Sequence, residues 1–162
     1  MNNTIRLAAP LVILLAAACS QKSPDSASPA GTSAAPPPAA AGLTRQKAPF
    51  GAKVFFTGIH DGDTVTSTFK VAFTAGGLRV APAGTMDLGT GHFHLIIDSD
   101  LPPQDTPLPV SDKIKHYGKG QTEDVLTLPP GPHTLQIEFA DGAHMPFDPP
   151  IVSDKITVKV QQ

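Results

Sequence analysis

Six histidines are spread through the 162-residue chain, and two of them stand one residue apart in Gly91-His92-Phe93-His94-Leu95-Ile96-Ile97-Asp98. Phe93, Leu95 and Ile97 alternate with His92, His94, Ile96 and Asp98, the period of two that marks a strand with one buried face. Same-face neighbours on a strand lie roughly 6.5–7 Å apart, so both imidazoles come within reach of one metal ion. Imidazole nitrogen suits copper, zinc, nickel and iron, while thioether sulfur favours Cu(I). Structural zinc sites often use cysteine, and the only cysteine here is Cys19. Copper is therefore the favoured ion, with zinc second.

A single pair of ligands does not make a site, so the elements that position the remaining donors decide the matter. From about residue 50 the chain runs in short stretches of Val, Ile, Phe and Thr between Gly, Pro and Asp punctuation, the pattern of strands and turns. It predicts strands over 53–57, 69–75, 92–98, 113–117, 125–128, 133–140 and 155–160, with residues 58–64 as a turn. Phe69, Val71, Phe73 and Ala75 share one face, as do Leu135, Ile137 and Phe139, and Ile156, Val158 and Val160. Their opposite faces carry Lys70, Thr74, Gln136, Glu138, Lys155, Thr157 and Lys159, the half-buried alternation of a sandwich strand. About seven short strands without a helical period favour an all-β, Ig-like antiparallel β-sandwich over a small barrel.

If consecutive strands alternate in direction, the connections 76–91, 118–122 and 141–154 fall at one end. His92 and His94 begin the third strand at that end, His116 closes the fourth there, and His144 lies in the loop after the sixth. These four are the predicted metal ligands. Met86 and Met145 occupy two of the same loops and are candidate additional ligands. Glu123 and Asp141 stand near enough to orient the imidazoles as hydrogen-bond acceptors. His60 and His133 fall at the opposite end. His133 has the inward parity of Leu135 and is expected to bond a backbone carbonyl, whereas His60 is expected in solvent. Asp61, Asp63, Asp98, Asp100 and Asp105 gather near that end too. Turn capping explains them, and a Ca²⁺ site is not expected.

The chain begins with the marks of bacterial export. Residues 7–18 form an apolar run of about a dozen residues, short for a membrane span, ending in Leu15-Ala16-Ala17-Ala18-Cys19-Ser20. This resembles a lipobox, which makes residues 1–18 a lipoprotein signal peptide and Cys19 the lipidated anchor to the membrane. Ser20 in place of aspartate points to the outer membrane, with the domain facing the periplasm. Residues 19–49, rich in Ala, Pro and Ser, read as a disordered tether, and 50–162 as the sandwich domain. A net charge of −2 and no basic cluster exclude nucleic acid as the expected partner. No nucleophile motif points to an enzyme. The expectation is a monomeric, metal-holding domain that buffers copper or passes it to a donor or acceptor protein. The alternative is a protein- or glycan-binding module acting through its end loops.

Several motifs carry a resemblance. Val80-Ala81-Pro82-Ala83-Gly84, Thr90-Gly91-His92-Phe93-His94, His116-Tyr117-Gly118-Lys119-Gly120-Gln121-Thr122-Glu123, Leu128-Pro129-Pro130-Gly131-Pro132-His133 and Asp141…His144…Pro146…Pro149-Pro150 together resemble a bacterial family catalogued as domain of unknown function 4399, over roughly 53–160. The resemblance implies a compact exported domain or lipoprotein without an established activity. Where that family often has further histidines, this chain has Phe93 and Phe147. Phe93 has core parity, so the metal site is expected to survive its presence. Phe147 is expected in the histidine-bearing loop, where it removes a ligand.

Overall fold

The structure is a computed structural model that describes residues 44–162. The proposed signal peptide, Cys19 and most of the proposed tether lie outside the described residues. Ten strands form: β1 (Lys53–Thr57), β2 (Thr64–Thr66), β3 (Thr68–Gly76), β4 (Arg79–Val80), β5 (Thr90–Ile97), β6 (Ile114–His116), β7 (Glu123–Thr127), β8 (Gly131–Ala140), β9 (Pro146–Val152) and β10 (Ile156–Gln161). The fold is all-β and sandwich-like. One sheet has the order β1-β3-β7, and the other is built on β2-β10-β8-β5. Strands β8 and β5 each change partner along their length. β8 pairs with β10 through Gly131–Leu135 and with β9 at its far end. β5 takes β4 at its start and β6 beyond it.

The seven expected strands are present with ends shifted by up to two residues, and two short strands, β2 and β4, and the seven-residue β9 join them. β9 was hidden by Pro146, Pro149 and Pro150. Proline has no amide hydrogen for a ladder and is tolerated at sheet edges, which is where β9 lies. β2 and β4 are too short for alternation to show. Both pair in parallel, β2 with β10 and β4 with β5, so the expected purely antiparallel order is corrected to a mixed one.

Between the sheets lies an aromatic core. Phe73 meets Phe93 at 5.4 Å and Tyr117 at 4.9 Å between ring centres, and Phe93 meets Phe139 at 5.1 Å. Phe93 therefore faces the core as its parity required. Phe147 does not stand in the histidine loop. It lies fully buried in β9 beside Phe139, so its aromatic ring fills the core and takes the place of no ligand. The outer face of β5 and β8 departs from the half-buried expectation. His92, His94 and Glu138 are wholly inaccessible there, and Ile96 nearly so. Leu108, itself buried, is joined to this end by its amide donating to the His144 carbonyl.

The tether boundary also shifts. Residues 44–49 were assigned to it, yet Ala48 N–H donates to Asp148 O and Asp148 N–H to Gln46 O, while Arg45 donates to the Pro146 carbonyl and Lys47 ion-pairs with Asp148. Residues 45–48 thus pair with β9 of the domain.

Candidate metal centre

β5 extends because Thr90, Phe93, Leu95, Ile96 and Ile97 pack on both faces, and its alternation sends His92 and His94 away from the aromatic core. β6 pairs antiparallel with it and sets His116 directly across from His94. Directly opposed residues share a sheet face, so the third imidazole joins the first two. The fourth comes from the tight loop between β8 and β9. There His144 adopts a left-handed backbone with φ 65°, a conformation uncommon outside glycine and enriched at functional sites. Asp141 stabilises it: the Asp141 carbonyl accepts from His144 N–H, and its carboxylate accepts from Ala143 and Met145 N–H.

The four imidazoles offer one nitrogen each, all within 4.8 Å of one another. His116 Nε2 and His144 Nε2 are 3.1 Å apart. Four nitrogens at 2.0–2.1 Å from a tetrahedral ion are about 3.3–3.4 Å from each other, so small side-chain adjustments complete a coordination shell. His92 and His94 are buried, while His116 and His144 are partly exposed, giving the pocket a deep floor and a rim open to solvent.

Both ring nitrogens of His92 and of His94 lack a hydrogen-bond partner among the described residues. Leaving a buried polar group unpaired costs about 1–3 kcal/mol, so this pair is held at a cost by the surrounding packing. The pocket also resists protonation. Burial, reinforced by the charges of His144 and His116, lowers the His92 pKa from 6.5 to about 4. Burial and the three neighbouring imidazoles take His94 to about 2, and burial followed by His144 lowers His116. Near pH 7 His92 and His94 are neutral, and their lone pairs are free for a cation.

Three glycines shape the pocket. A Cβ on Gly118 would lie 2.2 Å from His116 Cε1, one on Gly91 would lie 2.1 Å from Ala140 O, and one on Gly142 would lie 2.1 Å from Thr85 O. All three glycines are tied to one loop. Ala81 N–H donates to Gly91 O, Ala83 N–H to Gly118 O and Gly84 N–H to Gly142 O. Each glycine lies within two residues of His92, His116 or His144. The Val80–Gly84 motif is therefore a clamp that fixes three histidine-bearing segments at once. Gly118→Ala should push the His116 ring aside and weaken metal binding by about tenfold, in the range seen when groups that orient ligands are removed. Titration of the variant beside the wild-type protein checks this, with thermal melting of the metal-free forms as the control for folding.

The other expected participants are placed differently. Glu123 is exposed and ion-paired with Lys70 at 2.7 Å, and the Asp141 carboxylate serves its own loop; neither accepts a hydrogen bond from an imidazole, which corrects the orienting role expected of them. Met86 is 56% exposed and Met145 is buried, and a four-nitrogen shell is complete without either. His133 faces inward as expected and bonds the Pro129 carbonyl at 2.9 Å and Asp98 at 2.7 Å. Burial lowers its pKa, but these hydrogen bonds and the Asp98 charge overcome that and raise it. His60 is exposed. Three aspartates at that end have protein partners: Asp61 accepts from Thr157 N–H, Asp63 from His60 N–H, and Asp100 ion-pairs with Lys155.

Glu138 is read from the sequence only as an outward-facing residue. It is fully buried, lies opposite His94 across the β5–β8 ladder, and neither carboxylate oxygen has a hydrogen-bond partner. Its parity with the histidine face was the available signal, obscured by the expectation that this face met solvent.

No curated protein and no solved structure gave a significant match to the chain. Residues 71–161 match the model of a family described as a domain of unknown function, DUF4399. That span includes all four clustered histidines, the three tight glycines and Glu138, and it covers more than half of the chain. The chain belongs to the DUF4399 family.

Proposed function

We propose that this protein is an envelope lipoprotein whose β-sandwich domain holds one transition-metal ion through His92, His94, His116 and His144, copper ahead of zinc, for buffering or transfer. The observation that carries this reading is the convergence of four imidazoles within 4.8 Å, with the two buried ones left without partners among the described residues. Four imidazoles fill a tetrahedral shell. That suits an ion-holding site better than a catalytic one, which keeps a position open for water or substrate. Copper leads because Cu²⁺ exceeds Zn²⁺ in affinity for a given nitrogen site. Lipidation at Cys19 would place the domain at the outer membrane, facing the periplasm. Competition titration of the soluble domain against a chelator of known affinity tests the reading. One Cu²⁺ or Zn²⁺ per chain at micromolar affinity or tighter is expected, and no binding at millimolar ion would overturn it.

A second reading, a module for binding a partner protein, is favoured by exposed apolar residues around the clamp loop. Leu88 and Phe50 are almost entirely exposed, and Met86 more than half. Capture of a specific envelope protein that persists after chelation would favour it.

A further inference from the structure

The carboxylate of Glu138 is buried with Gln104 and the Arg45 charge near it, yet forms no hydrogen bond among the described residues. It projects from β8 on the face that carries His92 and His94, with His94 as its direct cross-strand neighbour. Directly opposed residues have Cβ atoms about 4.5–5.5 Å apart. The residue is 0% exposed, and Oε1 and Oε2 both lack hydrogen-bond partners. An uncompensated carboxylate in such a place is costly, and a leucine or methionine would pack there without that cost. Ligating imidazoles are neutral donors. A dication entering them brings two positive charges into a site of low dielectric with no anionic ligand.

We infer that Glu138 is the internal counter-charge of the pocket, and that it makes the site favour divalent ions such as Cu²⁺ and Zn²⁺ over monovalent Cu⁺. This rests on the metal-holding reading above and specifies the charge class of the ion. The carboxylate acts through space on the bound ion, so Glu138 is a positioning residue for charge rather than a ligand. The physical basis is Coulomb's law: the attraction between a fixed carboxylate and the ion scales with ionic charge.

The test compares Zn²⁺ and, anaerobically, Cu⁺ in competition titrations of wild-type protein, Glu138→Gln and Glu138→Met. Glutamine keeps the shape without the charge, and methionine needs no hydrogen bond, so failure of one to fold leaves the other. The expected losses are about a hundredfold for Zn²⁺ and about tenfold for Cu⁺, twice as large on a logarithmic scale for the doubly charged ion. Equal losses for the two ions, or none, would overturn the inference, since damage to the pocket's shape does not sort ions by charge. Wild-type protein that binds neither ion would instead overturn the metal-holding reading itself.

Discussion

Replacing His92 and His94 together with alanine lowers affinity for the metal ion by at least about a thousandfold. Four-ligand structural sites have apparent binding energies of about 10–16 kcal/mol, so removing two ligands forfeits several kcal/mol. These two are the dominant pair because they are the buried members of the set. His116 and His144 alone, on the open rim, form a weak two-nitrogen site that water and buffer can contest. The loss also shows in stability. At free ion a hundred times Kd, binding stabilises the folded form by about 2.7 kcal/mol, which raises Tm by roughly 10 °C in a domain of this size. The wild-type domain shows that shift in differential scanning calorimetry, and the double variant shows none. A variant that melts like wild type without metal and still gains the full shift with it would remove His92 and His94 from the site.

The metal-free domain becomes acid-labile well above the range where carboxylates alone would act. His92 and His94 have folded pKa values of about 4 and about 2, against 6.5 for the free side chain. Between those values the unfolded chain binds protons that the folded one does not, so stability falls as pH is lowered. The loss begins near 6.5, continues through about 4 for His92, and extends further for His94. Glu138 works in the opposite sense. Its folded pKa is raised from 4.5 to about 7, so the stability it contributes is present below 4.5 and lost as pH rises through 7. From pH 6 to 4.5 two imidazole protons favour the unfolded state and one carboxyl proton favours the folded state. The net of about one proton corresponds to a loss of about 1.4 kcal/mol per pH unit. Asp98 and Asp124, whose pKa values are lowered chiefly by hydrogen bonds that outweigh their burial, add a loss only below about 3.8. Thermal melts in EDTA from pH 7 to 4.5 should show a steadily falling Tm. A Tm that stays flat across this range would mean that the imidazoles are not held neutral by burial.

The fold was legible wherever side chains alternate over five residues or more. The phases of β3 and β10 separated core from surface correctly, and Phe93 was placed in the core for the same reason. The convergence of the histidines was legible too, because phase and strand order bring His92, His94 and His116 to one end. What escaped reading depends on tertiary cover. The outer face of β5 and β8 is covered only once the chain has folded, so Glu138 looked like an ordinary surface glutamate. β9 was masked by its prolines, and with it the core position of Phe147. The glycines at 91, 118 and 142 look like turn residues in the sequence. Their steric role appears only when Ala140, His116 and Thr85 are brought against them. Asp141 and Glu123 were assigned to the imidazoles by proximity along the chain, whereas their carboxylates satisfy nearer partners, the loop backbone and Lys70.

The central claim is that four imidazoles enclose one ion, and X-ray absorption at the metal edge of protein loaded with one equivalent of Cu²⁺ or Zn²⁺ measures that directly. The account predicts a first shell of four nitrogens at about 2.0–2.1 Å with the multiple scattering of imidazole rings and no sulfur near 2.3 Å. A shell dominated by oxygen, or one with fewer than three imidazoles, would contradict it.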